Sequence, residues 1–179
     1  AFSTSKIAIG NKILSPIRTN IGAIKTMLPL GKDSILVGTS HSLSWLNPIN
    51  EQLCFALDST LAFNTRFTAL CNYEGHTTFG NNQGVFQINT LLPFSTTPLH
   101  NKEALLSKPV SFLYATKNGF LWVATLTDGI IAYRKNKIIA HLSASGKPNS
   151  ITSNICKKIF VNEANQIIWV ATNKGINRI

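Results

Sequence analysis

The residues of this chain that could do chemistry are few and scattered. His41, His76, His100 and His141 stand far apart, and no two of them have the spacing of a metal-ligand pair. The seven acidic residues include no D-x-D and no adjacent pair, which argues against a divalent-cation site and against a two-carboxylate hydrolase. Cys54, Cys71 and Cys156 are odd in number and have no CxxC spacing, which argues against metal ligation. Their apolar neighbours, Ala69-Leu70 and Phe55-Ala56 among them, read as buried free thiols. There is no G-x-S-x-G, no phosphate loop and no G-x-G-x-x-G. Distant residues can still converge on folding, so any chemistry has to come from the architecture that gathers them.

The charge balance is basic and scattered, as on a solvated surface, with a tendency to attract anions rather than a site for them. Seventeen Lys and Arg against seven Asp and Glu give a net charge of +10. The tightest groups are Arg134, Lys135 and Lys137, then Lys157 and Lys158. No run of five exists and aromatics do not interleave with the basic residues, so nucleic acid is not an expected partner. A net positive field does concentrate anionic ligands near the surface. No apolar stretch approaches the length of a membrane span. A start at Ala1-Phe2-Ser3, without Met, suits a mature or excised segment.

The architecture is legible in a repeat. Leu36-Val37-Gly38-Thr39, Thr78-Phe79-Gly80-Asn81, Trp122-Val123-Ala124-Thr125 and Trp169-Val170-Ala171-Thr172 each end a strand. Each is followed, across a short polar turn, by an alternating apolar stretch: Leu43 to Leu46, Gly84 to Ile88, Gly129 to Tyr133 and Gly175 to Ile179. The last residues of the four segments are separated by 42, 44 and 47 residues. A unit of about 40–45 residues made of short strands is the period of a β-propeller blade. The fold class expected is therefore all-β, a β-propeller of about four repeats of four-stranded antiparallel blades. One domain spans 1–179, with a partial unit at 1–20 and units at 21–58, 66–108, 109–148 and 149–179.

The later units are the cleanest. Ile155 to Val161, Gln166 to Thr172 and Ile176 to Ile179 read as three strands, and Val110 to Tyr114, Phe120 to Thr125, Ile130 to Tyr133 and Lys137 to Leu142 as four. The polar connection from Leu91 to Lys108 is the least regular part. Ser5 to Ile9 and Lys12 to Ser15 resemble the last two strands of a preceding unit. Either they complete the fourth unit and close a small ring, or the chain is part of a larger, seven-bladed propeller with open sheet edges; the low blade count favours the second. Trp122 and Trp169 read as packing between adjacent sheets, and Thr125 and Thr172 as hydroxyls that satisfy turn backbone.

Function on such a scaffold belongs to loops that break the repeat. The candidate ligand contacts are His41, Asn82, Gln83, Thr127, Asp128 and Lys174 in the turns between second and third strands. Asn64, Arg66 and Lys147 in the connections between units belong to the same rim. Arg66 and Lys147 have the chemistry to pair with a carboxylate or sulfate.

Asn149-Ser-Ile-Thr-Ser-Asn-Ile155 followed by Ile167-Ile-Trp-Val-Ala-Thr-Asn-Lys-Gly-Ile-Asn-Arg178 closely resembles the two-component regulator propeller repeat, as does Asn118 to Thr125 with Gly129-Ile130. The match is strong over two units and loose over the others, where Leu36 and Thr78 replace the Trp. Those repeats build the periplasmic sensor regions of bacterial hybrid histidine kinases, best known from Bacteroidetes. The resemblance implies a periplasmic, ligand-sensing, non-enzymatic segment with no cofactor, whose ligand is a small molecule or oligosaccharide, acidic pieces included. It also implies that the kinase and membrane helix lie in parts not present here. Further partners would be the remaining blades or a second copy at the sheet edges. The alternatives are a protein-interaction propeller without a small ligand and a carbohydrate-active enzyme such as a polysaccharide lyase.

Overall fold

The computed structural model describes residues 8–9, 12–13, 22–50, 52–55, 65–89, 95–99 and 103–179. Tight turns set the meander. Gly84 at φ 126° and Gly129 at φ 83° open the third strands of their units, and a Cβ at either would fall on a backbone carbonyl, that of Leu106 or Leu142. Only glycine fits both the conformation and the close approach.

Strands β1 (Ala8–Ile9) and β2 (Lys12–Ile13) pair with each other. Sheet I follows with β3 (Ile24–Pro29), β4 (Ile35–Thr39), β5 (Leu43–Asn47) and β6 (Gln52–Phe55). Sheet II holds β7 (Ala69–Tyr73), β8 (His76–Asn81), β9 (Gly84–Asn89) and β10 (Ser95–Pro98). Sheet III holds β11 (Val110–Ala115), β12 (Leu121–Thr125), β13 (Ile130–Arg134) and β14 (Lys137–Leu142). Sheet IV has three strands, β15 (Cys156–Asn162), β16 (Ile167–Thr172) and β17 (Gly175–Arg178). Each sheet is an antiparallel meander in chain order. The first strands β3, β7, β11 and β15 lie side by side, so the sheets fan outward from them. This is propeller architecture, and the four blades do not close into a ring: β1 and β2 join none of the four sheets.

Among the described residues the core forms three layers, each between neighbouring sheets. Leu36, Leu43, Phe67, Leu70, Phe79 and Ile88 fill the space between I and II. Cys71, Tyr73, Val85, Val110, Leu121, Val123 and Ile131 fill that between II and III. Ala124, Ile130, Ile151, Cys156, Ile159 and Val170 fill that between III and IV. Side chains such as Leu36, Val85 and Leu121 are fully buried, worth about 1.5–3 kcal/mol each.

The small residue of each repeated segment has a packing reason. A Cβ on Gly38 would sit 3.0 Å from Cβ of Phe67, and one on Gly80 would sit 2.7 Å from Cβ of Val110. Ala124 is packed in one cluster with Cys156. Phe67, Val110 and Cys156 are the same repeat position one blade on. Thus a small residue on the second strand receives the first apolar residue of the next blade.

Two sequence expectations change in detail. The irregular connection contains β10, which pairs with β9, and a short 3-10 turn at Ala104–Ser107; Ser-Thr-Thr-Pro lacks apolar alternation, and Pro98 is tolerated because β10 is an edge strand. Sheet IV has the three strands that the sequence indicates for the last unit. Trp122 packs against the III–IV core, whereas Trp169 at the same position is 41% exposed, because no described sheet follows sheet IV.

Candidate functional site

The strand ends are built to hold turns. Thr39 Oγ1 accepts the Ser42 N–H at 2.9 Å, Asn81 Oδ1 the Gln83 N–H at 2.7 Å, Thr125 Oγ1 the Asp128 N–H at 2.8 Å and Thr172 Oγ1 the Lys174 N–H at 3.1 Å. The residue that ends each second strand therefore fixes the turn beyond it.

The first strands begin irregularly. The register shifts between Ile24 and Thr26, between Val110 and Phe112 and between Cys156 and Lys158. Each bulge turns out one extra residue, Lys25, Ser111 or Lys157; Thr68, just before β7, holds the same repeat position. Two of the four bind neighbouring blades together. Thr68 Oγ1 donates to the Val110 carbonyl at 2.5 Å and contacts that of Gly80 at 3.1 Å. Ser111 Oγ, one repeat on, lies 2.7 Å from the Cys156 carbonyl and 3.2 Å from that of Ala124. The other two positions are lysines.

These residues line a cavity of about 310 Å³ at the end of the sheets that carries the inter-blade connections. Its cations are Lys25 from sheet I, Arg66 from the approach to sheet II and Lys157 from sheet IV; Thr68, Asn82 and Ser111 supply neutral polar groups, and Leu126 closes one side. No carboxylate lines it, and none of the three cations forms an ion pair among the described residues. Two strand lysines and a loop arginine line one small volume, an arrangement suited to an anionic group.

Of the sequence-predicted contacts, the cavity brings together Arg66 and Asn82. His41 is exposed in the β4–β5 turn, with Nδ1 2.8 Å from Ser40 Oγ. Gln83 is exposed beside Asn82, outside the lining. Thr127 donates to the Asp128 carboxylate at 2.5 Å, and that carboxylate lies 3.9 Å from Lys108 Nζ, so Asp128 already has a local cation. Lys147 and Lys174 are exposed on the 143–155 connection and the β16–β17 turn, away from the cavity lining. Asn64 lies outside the described residues. Lys25, Thr68, Ser111, Leu126 and Lys157 were missed. Their signal was the start of each first strand: Ile24, Phe67, Val110 and Cys156 recur every 43, 43 and 46 residues, and the residue after each is the one turned out.

Burial pushes the Cys71 thiol up to about 12 and that of Cys156 to about 11, so neither is a thiolate at neutral pH. Among the described residues no three His, Cys, Asp or Glu side chains group as a metal site. No helix of the described residues is long and apolar enough to cross a membrane.

No protein-family model matches the sequence, and no curated protein does. Solved structures do match. The extracellular domain of the hybrid two-component system BT4673 from B. thetaiotaomicron is 20% identical, with a TM-score of 0.73 over 93% of this chain and 23% of that one. That of BT3049 from the same organism is 18% identical, with a TM-score of 0.68 over 86% of this chain and 20% of that one. PorZ, a surface component of the type-IX secretion system of Porphyromonas gingivalis, is 17% identical, with a TM-score of 0.73 over 91% of this chain and 26% of that one. The chain spans about a quarter or less of each of these. At such identities the likeness is one of fold, and two of these neighbours are extracellular domains of two-component systems, the class to which residues 118–130 and 149–178 bear their resemblance.

Proposed function

We propose that this chain is a ligand-binding segment of the extracytoplasmic propeller of a two-component sensor, and that its ligand is an acidic saccharide whose carboxylate or sulfate enters the cavity between Lys25, Arg66 and Lys157. The observation that carries this reading is that Lys25, Arg66 and Lys157, from two first strands and the approach to a third, line one volume in which the described residues place no carboxylate. Asn82 adds a side-chain amide that can donate to an oxyanion, whereas the Thr68 and Ser111 hydroxyls are committed to the Val110 and Cys156 carbonyls. The extracellular neighbours and the repeat resemblance support a periplasmic location and a sensing rather than catalytic role. Signal transfer to a kinase would run through parts of the protein beyond this chain.

Calorimetry with a sulfated, uronic-acid-containing disaccharide and its neutral counterpart tests the reading. The acidic sugar binds and the neutral one does not occupy this cavity; Arg66→Ala weakens the acidic sugar about tenfold, as expected for loss of a charged hydrogen bond. Lys147→Ala, outside the cavity lining, serves as the comparison. Equal affinity of wild type and Arg66→Ala removes the cavity from the site.

A second reading rests on sheet IV. Its outward face presents Phe160, Trp169 and Ile176 at 62%, 41% and 72% exposure, whereas the same face of sheet III is covered by the next blade. A propeller that works by protein contact would use this face, either for further blades or for a second copy.

A further inference from the structure

At the opposite end of the sheets, between III and IV, lies a larger groove of about 600 Å³ that the cation cavity does not reach. We infer that this groove binds one neutral sugar ring, at a site separate from the acidic-group cavity.

Its floor is aromatic. Phe120 and Trp122 lie with ring centroids 6.4 Å apart and planes 25° from parallel, and the Arg134 guanidinium sits 4.7 Å from the Phe120 centroid. Ile168 and Val161 of sheet IV form the facing wall. Such a floor takes the C–H face of a pyranose, which has no charge to desolvate. Half-buried Trp122 thus has a second task besides packing.

The rim is polar and already fixed. The Glu163 carboxylate accepts the Lys117 N–H at 3.0 Å and the Tyr114 hydroxyl at 3.5 Å, tying the β15–β16 turn to the β11–β12 turn across the groove. Thr116 Oγ1 donates to Asn118 Oδ1 at 2.5 Å, which fixes the amide and leaves its NH₂ to donate. Gln166 is exposed on the other lip at φ 53°, a left-handed conformation that glycine or asparagine takes more readily. Two side-chain amides and a held carboxylate, above two aromatic rings, match the alternating donors and acceptors of sugar hydroxyls. On the rim the Lys117 and Glu163 charges offset each other, and the Arg134 guanidinium is held against the Phe120 ring.

The test uses the intact chain with methyl glycosides of glucose, galactose and mannose, read by saturation-transfer NMR and tryptophan fluorescence. At least one glycoside binds saturably, with an affinity in the millimolar range expected of a single ring. Asn118→Ala and Gln166→Ala each weaken it about fivefold with an unchanged circular dichroism spectrum. Lys25→Ala leaves it unchanged, which separates this groove from the cavity at the other end. The inference is overturned if no glycoside saturates, if the Asn118→Ala, Gln166→Ala double variant binds as well as wild type, or if Lys25→Ala abolishes binding.

Discussion

The Thr68 hydroxyl donates to the backbone carbonyl of Val110 across the boundary between two blades, 2.5 Å away and 42 residues on in the chain. Ser111 repeats the contact to Cys156 at 2.7 Å. The turned-out residue at the start of each first strand is therefore either a hydroxyl that binds the next blade or, at Lys25 and Lys157, a cation that faces the cavity. One structural position serves inter-blade contact in two blades and lines the cavity in the other two.

Removing the hydroxyls should loosen the stack without altering any sheet. Thr68→Val and Ser111→Ala each leave a carbonyl short of a partner, at a cost of about 1–2 kcal/mol. Urea unfolding of the double variant should show the two losses coupled rather than additive, since the Val110 carbonyl and Ser111 share one peptide group. Midpoints equal to wild type would deny the contacts a role.

Gly80→Ala should be costlier than its size suggests. The new methyl group meets Val110 of the next blade, and overpacking of this kind costs about 1–3 kcal/mol. Pairing it with Val110→Ala should recover part of the loss in a double-mutant cycle; no recovery would mean that the contact is not the cause.

Alkali should destabilise the fold. Burial raises Cys71 from 9.0 to about 12 and Cys156 from 9.0 to about 11, while burial and then the charge of Glu74 raise Tyr73 from 10.0 to about 12. The folded state holds these protons more tightly than the unfolded chain. Their contribution is complete below about pH 9 and is lost as pH rises through about 11 to 12. Urea midpoints should be level below about pH 8 with respect to these groups and fall by about pH 10.5. Iodoacetamide at neutral pH should leave Cys71 and Cys156 unmodified until the chain unfolds, and peptide mapping reads this directly.

The open face of sheet IV should make the chain associate. Phe160 and Ile176 are 62% and 72% exposed on a surface of the kind that the next blade covers in sheet III. Sedimentation should find concentration-dependent self-association that Phe160→Lys with Ile176→Lys suppresses. A strict monomer at high concentration would remove the face as an interface.

Trp122-Val-Ala-Thr and Trp169-Val-Ala-Thr made the blade period readable, because a central strand buried on both faces must be continuously apolar. Ser95-Thr-Thr-Pro98 did not reveal β10, since an edge strand needs neither alternation nor a full set of N–H donors. Arg66 and Asn82 were legible as loop residues that depart from the repeat. Lys25 and Lys157 were not, because each lies at the start of a strand whose register slips by one, and a bulge has no composition of its own. The groove around Trp122 escaped for a different reason: its aromatic residues are also packing residues, and only the tie between Glu163 and Lys117 reveals a built rim.

The most direct test of the account replaces the two axial lysines by the hydroxyls used elsewhere at that position, Lys25→Thr with Lys157→Ser, and titrates the variant calorimetrically with a sulfated disaccharide. Unfolding midpoints at or above those of wild type are expected, because sheet I gains the contact that Thr68 and Ser111 make, together with an affinity for the acidic sugar reduced by about tenfold or more. A variant that folds normally and binds the sulfated sugar as tightly as wild type would contradict it.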